Sequence, residues 1–180
     1  SNVCQGANGA ISVTSAVTPQ LGYSYAGPLF PNGSYSGYPS YSYTNAQPNN
    51  SGTQFVTANF GNGCITTASA QLNVVPVNTV TVIPPGPICS PTNAFLQALA
   101  TGANLYTWAG PNGFSTPGAN VYVYYPTPAA NGIYTVTAYF GSGSSLVCTN
   151  TNTLSLTVYP VLQFSLVPRQ EACYNTPITI

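Results

Sequence analysis

The 180-residue sequence predicts an all-β protein built from antiparallel β-sandwich domains arranged head to tail, and three observations carry that reading. Apolar and polar residues alternate with period two, and no segment keeps a helical period over about ten residues. Turn signals recur about every eight to twelve residues, the spacing of short sandwich strands. The third observation is a seam that occurs twice. Residues 69–89, SAQLNVVPVNTVTVIPPGPIC, superpose without a gap on residues 153–173, TLSLTVYPVLQFSLVPRQEAC, after a shift of 84. Leu72 falls on Leu156, Val74 on Val158, Pro76 on Pro160, Val77 on Val161, Pro84 on Pro168 and Cys89 on Cys173. Proline cannot donate to a sheet ladder, so each seam reads as a closing strand, a break, and the first strand of the next domain. The chain is expected to be a piece of a tandem array. Its units are residues 1–76, residues 77–160, and residues 161–180 as the start of a third unit or a donor strand.

The elements follow in order. After Cys4, GANGA turns the chain, and Ile11 and Val13 alternate with Ser and Thr as a half-buried strand. Tyr23, Ser24 and Tyr25 begin the next strand, which stops at Gly27-Pro28, and Asn32-Gly33 is a strong turn pair. SYSGYPSYSY at 34–43 is interrupted by Pro39 and reads as an edge strand or two short ones. Thr53 to Phe60, a GNG turn and Ile65 to Val75 form a hairpin. The second unit repeats this order. Its first strand is expected at Val77 to Ile83, and Phe95 to Leu99 is apolar on both faces, which predicts burial on both. YTWAGP at 106–111 matches YSYAGP at 23–28, so Trp108 takes the place of Tyr25, both expected as core aromatics. NGIYTVTAYFG at 131–141 matches SGTQFVTANFG at 51–61.

Composition narrows function. The only charged side chains are Arg169 and Glu171, and there is no histidine. General acid–base catalysis, an activated nucleophile, hard-cation sites and nucleic-acid surfaces all need groups this alphabet lacks. We therefore expect no enzyme, no cofactor, no metal and no nucleic-acid partner. Hydrophobic residues make up 44% and aromatics 12%, so the chain has the material for a core. Net charge near zero removes repulsion between copies and favours self-association. No run of eighteen apolar residues occurs, so no membrane-spanning helix is expected. The absence of an initiator Met and of a signal-peptide pattern suggests a mature subunit or an excised segment.

The cysteines are Cys4, Cys64, Cys89, Cys148 and Cys173. Cys4 and Cys64 are 60 residues apart and Cys89 and Cys148 are 59, which suggests one bridge per unit, Cys4–Cys64 and Cys89–Cys148. The bridges are expected to clip an end of each sandwich. Cys173 then lacks a partner in this chain. Free buried thiols are the alternative. Paired cysteines imply an extracellular or cell-surface location.

At YTWAGPNGF (106–114) followed by NGIYTVTAYF (131–140), the sequence resembles the PKD-like and immunoglobulin-like repeats of very large surface proteins of Bacteroidetes, many exported by the type IX secretion system. The resemblance covers both full repeats and the start of a third. It implies an immunoglobulin-like or PKD-like sandwich and a role as stalk, adhesin or filament component. The near absence of charge departs from that family, so no calcium-binding acidic residues carry over.

Two structural roles remain open. Repeat one lacks the first strand that repeat two has at 77–83, while VLQFSLV at 161–167 is a spare copy of it. Either the missing strand lies upstream in one long polypeptide, or Val161, Phe164 and Leu166 donate a strand to the next copy. Partners are then copies of the chain or adjacent repeats, head to tail, and a contact of that kind that does not close makes a filament. The competing role is glycan binding through exposed aromatics, for which Tyr35, Tyr38, Tyr41 and Tyr43, or the group Tyr122, Tyr124 and Tyr125, are the candidates. The plain alternative is that these tyrosines line inter-domain contacts.

Overall fold

The computed structural model of the chain describes residues 1–141 and 148–166. Two sandwiches follow one another. The first comprises β1 (Asn2–Cys4), β2 (Gly9–Ser12), β3 (Tyr23–Gly27), β4 (Phe30–Ser36), β5 (Ser40–Tyr43), β6 (Gly52–Gly61) and β7 (Cys64–Val75). One sheet runs β1-β7-β6-β3-β4, and the pair β2-β5 faces it. The second comprises β8 (Thr81–Ile83), β9 (Ile88–Cys89), β10 (Ala94–Leu99), β11 (Ala103–Ala109), β12 (Ser115–Pro117), β13 (Asn120–Val123), β14 (Gly132–Phe140), β15 (Cys148–Leu156) and β16 (Val158–Tyr159). Here the sheet β12-β11-β14-β15 faces β13-β10-β8. The fold is an immunoglobulin-like β-sandwich.

The two sandwiches share a way of using their first strand. In the second, β8 pairs antiparallel with β10, then the PPGP stretch carries the chain across to β9, which pairs parallel with β16. The prolines end one pairing and let the next begin on the opposite sheet. In the first, β1 pairs parallel with the end of β7, just as β9 does with β16. Nothing among the described residues sits on β2 where β8 sits on β10. The ladder of the second first-strand is shorter than the sequence suggests. Only Thr81–Ile83 pair with β10; before them Val77 and Val80 pack into the second core, and the carbonyls of Asn78 and Val80 accept from Asn150 and Asn152 of β15.

Alternation fills the cores. Tyr134, Val136, Ala138 and Phe140 on β14 are all buried, as are Gln54, Val56 and Ala58 on β6. Trp108 and Tyr25 are each 1% exposed. Each spends its polar group on the chain beyond the neighbouring strand: Trp108 Nε1 donates to Gly118 O at 3.1 Å and the Tyr25 hydroxyl to Tyr38 O at 3.1 Å. An aromatic with a polar tip can be buried there only because that acceptor exists. Burial on both faces does not hold for 95–99. Ala94, Leu96 and Ala98 face the core, whereas Phe95 and Leu99 are exposed, because the sheet β13-β10-β8 has only one covered face.

One glycine explains why AGP recurs. Gly27 and Gly110 occupy matching positions, and the inward residue of the neighbouring strand presses on each. A Cβ on Gly110 would lie 2.5 Å from the Tyr134 ring, and one on Gly27 would lie 2.6 Å from Gln54 Oε1. Gln54 is buried and satisfied: it accepts from Leu29 N at 3.2 Å and donates to Asn50 O at 3.1 Å. Gly110→Ala is expected to displace Tyr134 and cost about 1–3 kcal/mol, measured by urea unfolding. An unchanged midpoint would contradict the close approach.

Burial holds the Tyr25 hydroxyl above its ordinary pKa of 10.0, with the charge of Tyr23 adding to the effect, and burial does the same for Tyr134. The folded state therefore binds these protons more tightly than the unfolded chain. Their contribution is complete below the unfolded pKa and is lost as pH rises through the folded one. Residues 1–168 contain no Asp, Glu, His, Lys or Arg, so no acid limb opposes it. The thermal midpoint is expected to be flat from about pH 3 to about pH 8 and to fall above about pH 10. A transition on acidification between about pH 3 and pH 5 would contradict this.

Candidate functional site

The joint between the sandwiches is the most elaborated feature of the molecule. The closing strand β7 delivers Val75, Pro76 and Val77 onto the second sandwich, where Val75, Val77 and Cys4 pack against its core. Backbone polarity at the joint is satisfied locally: Gln5 N donates to Val75 O at 2.9 Å, and Val77 N donates to Gln5 Oε1 at 3.1 Å. Two asparagines of β15 then hold the linker. Asn150 Nδ2 donates to Asn78 O at 3.0 Å and Asn152 Nδ2 to Val80 O at 2.7 Å. Asn78 Nδ2 in turn donates to Thr101 O at 2.8 Å.

A disulfide crosses this joint. The structure bonds Cys4 to Cys148, across 144 residues, in place of the Cys4–Cys64 and Cys89–Cys148 bridges that spacing suggests. Register supplies the reason. Cys4 pairs with Val75, at the C-terminal end of β7, whereas Cys64 opens β7 beside Gly61. Those ends are separated by eleven strand residues, roughly 36 Å. A disulfide needs Cα atoms within about 7 Å. Cys89 beside Tyr159 and Cys148 beside Phe140 are separated in the same way. Equal loop lengths mark equal positions in two repeats, and those positions lie at opposite ends of each sandwich. Cys64 and Cys89 are exposed free thiols. Cys173 lies outside the described residues.

Among the described residues, none occupies the first-strand place of the first sandwich. In the second, β8 and the linker cover the inward row of β15, so Cys148 is buried and Asn150 and Asn152 are half-buried. The matching row of β7, Cys64, Thr66, Ala68 and Ala70, is exposed throughout. At the other end of the chain, residues 161–166 form no strand and their apolar side chains are bare. Phe164 is 86% and Leu166 87% exposed, and Val161 is half-exposed.

The tyrosines do not form one platform. Tyr35 and Tyr38 are exposed on β4 and the turn after it. Tyr41 and Tyr43 turn inward on β5: Tyr41 stacks at 5.4 Å from Tyr25 and 5.0 Å from Phe30, and Tyr43 packs beside Leu72 and Val74. Residues two apart on a strand share a face, and this face is the core. Tyr35 is also tethered, donating its hydroxyl to Leu21 O. An aromatic row does exist on the outer face of the second sandwich. Phe95 and Tyr122 lie 4.9 Å apart and Tyr122 and Tyr124 5.7 Å apart, with Tyr125 exposed alongside. The sequence groups Tyr122, Tyr124 and Tyr125 as candidates but places Phe95 in the core.

Among the described residues no group of three His, Cys, Asp or Glu side chains comes together, and no helix is long and apolar enough to cross a membrane.

No protein-family model matches the chain, and no curated protein matches it in sequence. Several solved structures resemble it in shape. The amphioxus IgVJ-C2 molecule is 19% identical, with a TM-score of 0.42 over 87% of this chain and 99% of that one. DIP-gamma IG1+IG2 is 11% identical, with a TM-score of 0.46 over 88% of this chain and 92% of that one. Three N-terminal domains of the bacteriophage RB49 highly immunogenic outer capsid protein are 14% identical, with a TM-score of 0.42 over 86% of this chain and 55% of that one. Likeness of this degree says nothing about a ligand or a partner.

Proposed function

We propose that the chain is a structural component of an extracellular filament or cell-surface stalk built from immunoglobulin-like sandwiches joined head to tail. The observation that carries this reading is an open first-strand place in one sandwich and an exposed segment of the matching sequence pattern. One sandwich has its first-strand place open along β2 and β7, and the other end offers an exposed apolar segment with the sequence pattern that fills that place at β8. An open edge beside a bare apolar row is a template for strand addition. The occupant is a segment like 161–167, whether from an upstream repeat of the same polypeptide or from another copy. The repeat units are then residues 1–76, 77–160 and the segment from 161. The near-absence of charge lets such surfaces meet without repulsion. The disulfide supports an oxidising, extracytoplasmic location. The resemblance to the repeats of large Bacteroidetes surface proteins agrees with the same role.

A second reading, a glycan-binding adhesin module, is favoured by the row Phe95, Tyr122 and Tyr124, which presents stacking faces to solvent. Immunogold electron microscopy on the source cells tests the first reading. Label is expected along thin fibres or stalks with an axial repeat of roughly 40 Å per sandwich, the length of a twelve-residue strand. Diffuse surface label, together with glycan-array binding that Tyr122→Ala and Tyr124→Ala abolish, would support the second reading instead.

A further inference from the structure

The Cys4–Cys148 bond and the two free thiols are related by the repeat. Cys4 closes β1 opposite Val75, and Cys89 closes β9 opposite Tyr159, each on the parallel pair that ends a sandwich. Cys148 opens β15 opposite Phe140, and Cys64 opens β7 beside Gly61, each at the start of the closing strand of its sandwich. Cys89 is thus the counterpart of Cys4, and Cys64 of Cys148. Within one chain Cys89 and Cys64 point to the two outer ends and cannot meet.

Their surroundings match as well. Around Cys4, Val75 and Val77 are covered by the second sandwich. Around Cys89, the counterparts Tyr159 and Val161 are exposed, and with Pro160 and Leu162 they line an open apolar cleft. Around Cys64, Thr66 and Ala68 are exposed with it, whereas their counterparts Asn150 and Asn152 are half-buried against the linker and Cys148 is buried. One end is an uncovered copy of a surface that the joint covers. The other is an uncovered copy of the surface that covers it.

We propose that the Cys89 end of one chain docks on the Cys64 end of a second copy, and that Cys89 and Cys64 form the same staple that Cys4 and Cys148 form within the chain. This rests on the head-to-tail reading and adds its covalent chemistry. Both thiols lose their protons and together give up two electrons as the Sγ–Sγ bond forms. A disulfide oxidant such as oxidised glutathione accepts the electrons, and its own S–S bond breaks to release two thiols. Each staple leaves a free Cys64 at one end and a free Cys89 at the other, so the linkage propagates.

The test uses the full chain in a Cys173→Ser background, oxidised with a glutathione redox buffer and run on non-reducing gels. The parent is expected to give a ladder of multiples. Cys64→Ser and Cys89→Ser proteins are each expected to stay monomeric, and their mixture to give a single heterodimer whose linked peptides contain Cys64 and Cys89. Homodimers of either single variant matching the heterodimer in yield would overturn the pairing. Light scattering separates two failures. Copies that associate without cross-linking would refute the staple and keep the head-to-tail contact. Copies that neither associate nor cross-link would refute the docking of second copies, leaving a single long polypeptide as the source of neighbouring sandwiches.

Discussion

The parallel pairing of a short first-strand segment with the far end of the closing strand is the constraint on which the rest depends. It fixes Cys4 beside Val75 and Cys89 beside Tyr159, at the end where each sandwich hands the chain on. The other cysteine of each repeat opens the same long strand at its opposite end. No bridge within a sandwich can then form, and the bond that does form crosses the joint. The same geometry makes the linker a packed element. Val75 and Val77 lose water against the second core, and asparagines on β15 satisfy the linker carbonyls that this packing removes from solvent.

A chain almost without charge has to make its specificity from shape and hydrogen bonds. The buried polar groups here show how. Gln54, Tyr25, Trp108 and Tyr134 each reach a backbone acceptor close to the strand that carries them or just beyond its neighbour. Among the described residues no buried side-chain nitrogen or oxygen is left without a partner. Asn and Gln do the work at the joint that ion pairs do elsewhere, and their bonds are indifferent to pH and weakly sensitive to salt. The cost falls on the outside, where Phe95, Tyr122, Tyr124 and the 161–166 segment stay bare. Such surfaces are a hazard for a solitary monomer.

Much of this was legible in the sequence. Period-two alternation identified the strands, and AGP aligned Tyr25 with Trp108, both of which are buried. Residue spacing misled where it stood in for three-dimensional position. Loops of 60 and 59 residues between cysteines suggested closed loops, when they only marked equivalent places in two copies. The register of β1 on β7 decides that question, and a parallel pairing of three residues leaves almost no trace in a sequence. Faces misled in a similar way. Phe95 and Leu99 look like core from composition, and only the single layer covering β10 shows that they are not. Tyr41 and Tyr43 were grouped with Tyr35 and Tyr38 by type, although a turn at Gly37 to Pro39 separates their faces.

The most direct test is disulfide mapping of the isolated protein, digested without reduction and with free thiols blocked. The account predicts one linked pair of peptides carrying Cys4 and Cys148 and none joining Cys4 to Cys64. A Cys4–Cys64 or Cys89–Cys148 peptide would contradict it. Either would place the cysteines of one sandwich side by side and remove the covalent link between the two sandwiches.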